Sequence, residues 1–536
     1  MTSYLLSLPN ELLLSVVEHL VPEPLATGSS PELSRDYIQR RGTLRHLCLV
    51  CKRLCGIAQP LLFRNIAVTN GVQTVLLFRS LWNVPALRQC PWSFACPILL
   101  SEQDVVEDTL NCWNSNVDTL SRDPADPDIA HFLNSGYVQL RQVGVSLASG
   151  DARPVTLGGA HRWLEFSSEL LPEILVGILL ALQGQVRDVL LRTPEEGETA
   201  FDPFYLRDLS RFVRNHQEIP ATRLAFSPTL LSTAKSLRLQ GDTARDNHWH
   251  GVLPTYFPFW EFDCVTRLEY YRDAADWNEM LRHLDDEDPA DNQALKRDTM
   301  TKAMHQIEEL RFYSSRMAPW SMRQLLSHCP NLRSLHWAFG DNVEWLIPTL
   351  LDVRFYESDF EPQASSEATL DEALMAASGH LESLHLDVMI ESTVRFDSRY
   401  RVTCLSAFTN LRHVTIDTVC LLGLRPYAMD PLEKNIGPLH LIDVLPPNLE
   451  KLVLIEKWYG HQIRLQECGP DYLVWWAEEH LWRFARQCRP RYAALQSIVY
   501  RASRRDTNDY YDFFPECDTT DEKFATVRAL VGSLPM

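Results

Sequence analysis

A single short pattern recurs along most of this sequence: an apolar residue, two variable residues, an apolar residue, one variable residue and a third apolar residue. The last two apolar residues of a copy are two positions apart, so a β-strand points both to one side of its sheet. Copies lie at Leu140/Val143/Val145, Val186/Val189/Leu191, Ala234/Leu237/Leu239, Val265/Leu268/Tyr270, Ile307/Leu310/Phe312, Leu332/Leu335/Trp337, Leu381/Leu384/Leu386, Leu411/Val414/Ile416, Leu449/Leu452/Leu454 and Leu495/Ile498/Tyr500. This recurrence predicts a fold built from repeated strands.

Several copies follow an amphipathic helical stretch and a turn, as in SMRQLLSHCPNLRSLHW, EALMAASGHLESLHL and VLPPNLEKLVL. A helix followed by one such strand cannot bury its apolar face alone, so successive units are expected to stack into a parallel sheet backed by helices. The predicted fold class is therefore α/β, an irregular solenoid over residues 131–505 with insertions where the copies are unevenly spaced. A non-repeat α/β domain is the alternative.

The side of the strands opposite the core is the candidate binding surface. Cys329-Pro330-Asn331-Leu332 resembles the cysteine-containing leucine-rich repeats often attached to F-boxes, and a solenoid of that kind offers an extended concave surface to another protein. Mixed charges and aromatic rings on this outward face are typical of protein-binding surfaces. The predicted target-binding residues are Arg238, Glu269, Tyr271, Arg311, Tyr313, His336, His385, Thr415 and Asp417, with Val453 on the same face. A solvated face without a partner is the alternative.

Residues 7–66 carry helical rather than strand spacing. Apolar residues recur there at three- and four-residue intervals, which predicts two short amphipathic helices. Ser7 is the predicted N-cap of the first helix, with Pro9 in its first turn, and Pro60 is predicted to end or kink the second. Two such helices cannot bury both apolar stripes against each other, so some apolar surface is left for a partner.

Two stretches of this region, LPNELLLSVVEHL and LRHLCLVCKRLCGIAQPLLFRNI, together resemble an F-box of the fungal type. The resemblance implies docking to the Skp-type adaptor of a cullin-RING ubiquitin ligase and, through it, to the cullin. The implied adaptor-binding residues are Leu8, Pro9, Glu11, Leu12, Leu13, Val16, Leu20, Leu44, Leu47, Val50, Cys51, Leu54 and Ile57. The sequence departs from the family pattern in a predicted loop insertion at 21–43 and at Leu54, where the family commonly has Trp. A helical cap on a larger fold is the alternative.

Charge and cysteine content restrict the partners and the compartment. The formal net charge of −19 disfavours a nucleic-acid groove or an anionic membrane surface as partner. The longest apolar run, at residues 170–182, contains Pro172 and Glu173 and is too short to span a bilayer. The 13 cysteines lack paired spacing and the chain opens without a signal-like segment, which predicts reduced thiols and a cytoplasmic or nuclear location.

Two local clusters contain residue types that could carry chemistry. Cys48, Cys51 and Cys55 lie on a predicted helix without a second pair of metal ligands, so packed core cysteines are the prediction rather than a zinc site. The HWH triplet at 248–250 has no recognisable carboxylate or cysteine partner in the sequence and is predicted to lie on a surface loop. Neither a phosphate-binding glycine motif nor a hydrolase elbow occurs, so we expect no enzyme activity, cofactor or metal.

The predicted organisation is a helical module at 1–66, a connecting helical or irregular region at 67–130, the solenoid at 131–505 and an acidic tail at 506–536. We interpret the chain as a substrate-recognition subunit of a Skp-cullin-F-box ubiquitin ligase, which docks to the adaptor through the module and holds an unknown target protein on the repeat surface. The alternative is a non-catalytic repeat scaffold that binds partners without a ubiquitin ligase. Binding of the adaptor distinguishes the two.

Overall fold

The structure is a computed structural model of the chain, and it divides into two compact units. The first unit is Met1–Ala244 with Thr255–Val265, and the second is Arg245–Pro254 with Thr266–Met536. The residues that it describes are 7–22, 35–98, 103–121, 172, 175–176, 179–180, 183, 185–192, 233–240, 264–271, 301–315, 317, 319–339, 369–387, 401–422, 440–458, 480, 483–484, 487 and 491–504. Within these ranges no helix is both long and apolar enough to cross a bilayer.

The first unit combines helices with parallel strands. Its helices include α1 (Asn10–Glu18), α2 (Arg35–Val50), α3 (Lys52–Leu62), α4 (Gly71–Asn83) and α5 (Gln103–Ser121), with a short 3-10 helix at Pro85–Gln89. The strands among its described residues are β1 (Asn65–Ala67), β2 (Ser93–Cys96), β3 (Asp188–Arg192) and β4 (Ser236–Gln240). The strands pair in this order, all parallel, so that each strand lies beside the next one along the chain.

The helical module begins differently from the prediction. The N-cap of α1 is Pro9, so the prediction of Ser7 as the N-cap is wrong. The predicted second helix is interrupted at Cys51, whose φ of −162° and ψ of 162° are extended, and it therefore forms two helices, α2 and α3. The second of these continues past Pro60 and ends at Leu62.

The insertion predicted at 21–43 is also shorter than expected. Helix α2 already begins at Arg35, so the prediction of a loop is wrong for residues 35–43, while residues 23–34 lie outside the described ranges. The first half of α2 escaped prediction because Arg40 and Arg41 occupy the positions three and four residues after Tyr37, so the apolar pattern that leads from Tyr37 to Leu44 is incomplete.

The region from residue 67 to 130, predicted as a helical or irregular connection, contains helices α4 and α5 but also contributes strand β2 to the first unit. Phe63, Ile66 and Val68 match the recurring pattern at β1, but they overlap the stretch assigned to the helical module. At β2 the first apolar position is Pro91, which hides the pattern. The parallel sheet therefore begins at Asn65 rather than after residue 130.

The second unit repeats the same alternation. Its strands are β5 (Arg267–Tyr271), β6 (Glu309–Ser315), β7 (Ser334–Phe339), β8 (Ser383–Asp387), β9 (His413–Asp417), β10 (Lys451–Trp458) and β11 (Ser497–Arg504). Its helices include α6 (Pro319–Ser327), α7 (Leu370–Met375), α8 (Thr418–Leu422) and α9 (Leu441–Val444), with a 3-10 helix at Cys404–Ala407. These strands also pair in chain order and in parallel.

The recurring pattern predicted strands correctly from Val186 onward. Each copy from Val186 to Tyr500 falls on one of the strands β3 to β11, which confirms the α/β class with a parallel sheet and helices. In the copies from Val186 to Leu454 all three apolar residues are buried. The copy at Leu140/Val143/Val145 and the tail at 506–536 lie outside the described residues.

A pair of backbone hydrogen bonds recurs at the strand starts. The carbonyl of Arg333 accepts from the N–H groups of Glu382 at 2.8 Å and Ser383 at 2.9 Å. Carbonyls at the equivalent position also accept from two successive N–H groups of the next strand; they belong to Arg64, Trp92, Arg187, Thr266, Glu308, Glu382, Arg412 and Glu450. Because the same atoms pair in each step, the strands stay in one register.

Asparagine side chains connect successive repeats in the second unit. The amide of Asn331 donates to the carbonyl of His305 at 2.6 Å, and Asn448 donates to Thr409 at 2.6 Å. Asn410 likewise donates to the carbonyl of Gly379 at 2.7 Å. Each asparagine precedes the first apolar residue of its pattern, and each acceptor lies two residues before that position in the preceding repeat.

We expect Asn410→Ala to lower the free energy of unfolding by about 1 kcal/mol, because a single partly solvated hydrogen bond is lost. Urea denaturation followed by circular dichroism measures this change. Ser406→Ala, at an exposed position of the neighbouring 3-10 helix, is the control and should shift the midpoint by less than half as much. Equal effects of the two substitutions would show that the asparagine does not join the repeats.

Candidate protein-interaction surfaces

Helices α1, α2 and α3 form a helical module with its own small core. Val17, Leu44, Ala58 and Leu61 pack together there, surrounded by half-buried apolar side chains. Arg53 joins the start of α3 to the start of α1: its Nη2 donates to the carbonyl of Leu8 at 2.6 Å and its Nε to Oδ1 of Asn10 at 2.8 Å. The start of α1 therefore lies beside the junction of α2 and α3.

The residues predicted to bind the adaptor fall into three groups. Pro9, Glu11, Leu12, Val16 and Val50 are exposed. Leu8, Leu20, Leu47, Cys51 and Ile57 are half-buried. Leu13, Leu44 and Leu54 are buried, so the prediction that they contact a partner directly is wrong. Helical spacing identifies apolar residues but does not distinguish a stripe that packs inside the module from one left at its surface.

Several apolar side chains of the module are exposed to solvent. Leu12 is 53% exposed, Val16 50% and Val50 59%, and Leu49, which the sequence prediction missed, is 76% exposed. Leu12 lies near the start of α1 and Val50 ends α2, so the link through Arg53 places both at the same end of the module. Leu14 and Ile38, also missed, are exposed too.

The module is attached to the outward side of its own sheet. Tyr37 of α2 packs against Ala67, Ala95 and Leu190, which are register partners on β1, β2 and β3. The Tyr37 hydroxyl donates to the carbonyl of Asn65 at 3.0 Å. Burial raises the pKa of Tyr37, so the hydroxyl stays protonated and keeps this donor. This part of the outward face is thus covered by the chain itself.

Asn65 of β1 adds two side-chain hydrogen bonds to the contact between the helical module and the sheet. Its amide donates to the carbonyl of Pro22 at 2.6 Å, and its Oδ1 accepts from the Ser93 hydroxyl at 3.0 Å. One buried side chain therefore connects the segment after α1 with strands β1 and β2. Arg238, the predicted target-binding residue on β4 of this unit, is half-buried.

The remaining target-binding residues lie on the outward face of the second unit. Arg311, Tyr313, His336, His385 and Thr415 are half-buried there, and the register aligns four of them across β6 to β9. Tyr271 pairs with Tyr313 in the same register.

Two of the predicted surface residues are instead buried. Glu269 is 0% exposed and Asp417 2% exposed, so the prediction that they contact a target is wrong. Val453, on the same face, is buried as well. Alternation along a strand sets the side of the sheet to which a residue points, but it does not set the depth at which the residue lies.

The buried Glu269 belongs to a network of charges around Arg311. Nη1 of Arg311 lies 3.6 Å from Oε1 of Glu269, and its Nε donates to Glu309 at 2.7 Å. Arg267 also contacts Glu309. Burial lowers the pKa of Arg311, but Tyr313 and the two carboxylates raise it by more, so it stays cationic. Two arginines and two glutamates thus neutralise each other at this end of the face.

Beyond this network the face carries a row of aromatic rings. The centroids of Tyr313 and His336 are 4.5 Å apart, and those of His336 and His385 are 3.8 Å apart. The two imidazoles come from adjacent strands, since His336 and His385 are register partners on β7 and β8.

The cysteines of the helical module lie at the α2–α3 break and are half-buried. Burial raises the pKa of Cys48, and the adjacent Cys55 raises it further. Among the described residues no group of three or more His, Cys, Asp or Glu side chains could hold a metal ion. The HWH triplet at 248–250 lies outside those residues.

A scan of the sequence against protein-family models finds no match, and a search of the curated proteins finds none either.

Proposed function

We propose that this chain is a substrate-recognition subunit of a Skp-cullin-F-box ubiquitin ligase. On this proposal the helical module α1–α3 docks to a Skp-type adaptor, and the repeats form a leucine-rich-repeat-type solenoid that holds a target protein. The observation that carries the proposal is the exposure of Leu12, Val16, Leu49 and Val50 on a module whose sequence resembles an F-box.

Exposed apolar residues are common singly, but a group of them on one small module is typical of a protein-binding surface. The buried members of the same pattern, Leu13, Leu44 and Leu54, keep the helices in place, so the exposed members need no rearrangement before docking.

The recurring carbonyl pairs and the asparagine bonds support the repeat part of the proposal. The same carbonyl pair at successive steps within each unit means that these strands are added to their predecessors in the same way, which is how solenoids are built. On this proposal the chain supplies proximity, and the ligase partners supply catalysis. Tethering raises the effective concentration of target lysines to roughly the millimolar range.

A repeat scaffold that works without a ubiquitin ligase is the second candidate. The packing of Tyr37 on Ala67, Ala95 and Leu190 favours it, because a helical module fixed to its own sheet also serves as a cap. A cap and a docking module differ in whether the exposed side of α1 and the end of α2 bind another protein.

A pull-down with a purified Skp-type adaptor tests the proposal. We expect the wild-type chain to retain the adaptor and Leu12→Asp/Val50→Asp to lose it, because two carboxylates would be placed in an apolar interface. Met375→Asp is the matched control, since Met375 is an exposed apolar residue on α7, outside the module. Unchanged binding by the double variant, or no binding by the wild type, would favour the scaffold.

A further inference from the structure

Four residues that immediately precede the strands of the first unit form a row along one edge of its sheet. The carbonyl of Arg64 accepts from the N–H of Trp92 at 2.7 Å, and that of Trp92 accepts from Arg187 at 2.7 Å. The carbonyl of Arg187 accepts in turn from Lys235 at 2.7 Å. Adjacent strands are about 4.8 Å apart, so these four residues, which we call the strand-start row, extend over about 14 Å.

The indole of Trp92 positions the two arginines beside it in the row. The guanidinium of Arg64 lies over the ring of Trp92, 3.5 Å from its centroid, and that of Arg187 lies 5.3 Å from the same centroid. Both distances are within the range of a cation–π contact. Such a contact holds a guanidinium without using an oxygen acceptor, so its N–H donors stay available to an oxyanion.

The cations of the row are accessible. Arg187 and Lys235 are exposed and Arg64 is half-buried. Among the residues that the structure describes, the carboxylate paired with the row is that of Glu18, whose Oε1 lies 3.8 Å from Nη1 of Arg64. This distance is longer than a hydrogen bond and the Glu18 side chain is 49% exposed, so the pair is weak and an incoming carboxylate can compete with it.

Positive charge is concentrated on the strands of the first unit. From the first position of the recurring pattern to the end of each strand, β1 to β4 carry five cationic residues and one carboxylate. These residues are Arg64, Arg187, Arg192, Lys235 and Arg238, with Asp188. The same stretches of β5 to β11 contain eight cationic and eight acidic residues. The surplus on the first unit stands out in a chain whose net charge is −19.

The equivalent positions of the second unit have the same backbone arrangement but balanced charge. The same carbonyl bonds connect a series in which the sign alternates: Glu308, Arg333, Glu382, Arg412 and Glu450. Nη1 of Arg412 lies 3.1 Å from Oε1 of Glu450. A carboxylate that approaches this series meets acidic neighbours, whereas the strand-start row contains cations and an aromatic ring alone.

We propose that the strand-start row binds an extended acidic segment of a partner protein. An extended peptide rises about 3.3 Å per residue, so about five residues span the row. Carboxylates of such a segment can pair with Arg64, Arg187 and Lys235, and a guanidinium can donate two parallel hydrogen bonds to one carboxylate. Trp92 supplies an apolar contact between them. Tryptophan and arginine are also the residue types that contribute most to binding at protein interfaces.

The position of Trp92 disfavours a nucleic acid as the occupant. Single-stranded nucleic acids bind by stacking bases on exposed aromatic faces. Trp92 lies between Arg64 and Arg187 in the row, and both guanidinium groups lie over its ring, where a base would stack. The net charge of −19 also repels a polyanion more strongly than a short acidic peptide.

The test uses the full chain and fluorescein-labelled deca-glutamate, with deca-glutamine as the uncharged control peptide. We expect fluorescence anisotropy at about 50 mM salt to show about tenfold tighter binding of deca-glutamate than of deca-glutamine. Raising the salt concentration to about 500 mM should remove most of this difference, because salt screens exposed charges.

Variants with matched charge locate the binding. Arg187→Gln/Lys235→Gln should weaken deca-glutamate binding about tenfold, because two exposed ion pairs are lost. Arg333→Gln/Arg412→Gln is the matched control, since it removes the same charge from exposed, equivalent positions of the second unit, and it should leave the affinity unchanged. Arg187→Lys/Lys235→Arg keeps both charges and should keep the binding, which separates loss of charge from loss of folding.

Four results would overturn the inference. They are equal affinity for the two peptides at low salt, unchanged binding by Arg187→Gln/Lys235→Gln, an equal loss in Arg333→Gln/Arg412→Gln, and tighter binding of an oligothymidylate than of deca-glutamate. The inference goes beyond the proposed function, because adaptor docking has no part in it. Failure of the adaptor pull-down therefore leaves these measurements interpretable, and the reverse also holds.

Discussion

Trp337→Ala is expected to lower the free energy of unfolding of the second unit by about 3–5 kcal/mol. Trp337 is 0% exposed on β7, with Phe312 and Leu386 as its register partners on β6 and β8. Removing the indole leaves a cavity between these strands that a parallel sheet held in register on both sides cannot collapse to fill. Chemical denaturation followed by circular dichroism measures the change.

Trp92→Ala, in the first unit, provides the comparison with an exposed tryptophan. Trp92 is 41% exposed, and the guanidinium of Arg64 lies over its ring at 3.5 Å. Its removal loses the cation–π contacts with Arg64 and Arg187 and part of its apolar burial, and should cost less than the removal of the fully buried Trp337. Similar costs for the two tryptophans would contradict the placement of Trp337 in the core.

The second large effect distinguishes two neighbouring leucines of α1. Leu13 is 0% exposed and Leu12 53% exposed. Leu13→Ala should lower the free energy of unfolding by about 2–5 kcal/mol, because it empties a buried site. Leu12→Ala should change it by less than about 0.5 kcal/mol, because the site is exposed and alanine suits a helix.

Adaptor binding should respond in the opposite order to folding stability. Under conditions where both variants are folded, Leu12→Ala should weaken adaptor binding more than Leu13→Ala does. Urea denaturation and a binding titration on the same preparations measure the two properties. If Leu13→Ala left stability unchanged, or if both variants bound the adaptor as tightly as the wild type, the assignment of these two faces of α1 would be wrong.

The strands of the second unit were predictable because their signal is local. Apolar residues two apart, preceded by a third, mark a buried strand face, and each copy from Val186 onward falls on a strand. Strands β1 and β2 escaped for two different reasons. At β1, the apolar residues that match the recurring pattern overlap the stretch that resembles an F-box, so residues 63–68 were assigned to the helical module. At β2, Pro91 stands where the pattern requires its first apolar residue, so the pattern is not recognisable.

The degree to which a side chain is buried depends on the residues that surround it in space, and a sequence pattern does not specify these residues. Glu269 points outward, as predicted, but the Arg311 network lies over it. Leu12 and Leu13 are equally apolar, and only the packing of α1 on its neighbouring helices decides which of them is buried. The break at Cys51 is similar, because the apolar period continues across it while the backbone does not.

The most direct measurement is a calorimetric titration of the full chain with a purified Skp-type adaptor. If the helical module is an adaptor-docking site, the wild type should bind in a one-to-one ratio with a Kd of about 1 µM or tighter. Leu12→Asp should then weaken binding at least about 100-fold, as expected at the centre of an apolar interface, whereas Met375→Asp should leave it unchanged. A flat titration with the folded wild type, or the same Kd for Leu12→Asp, would contradict the proposed docking.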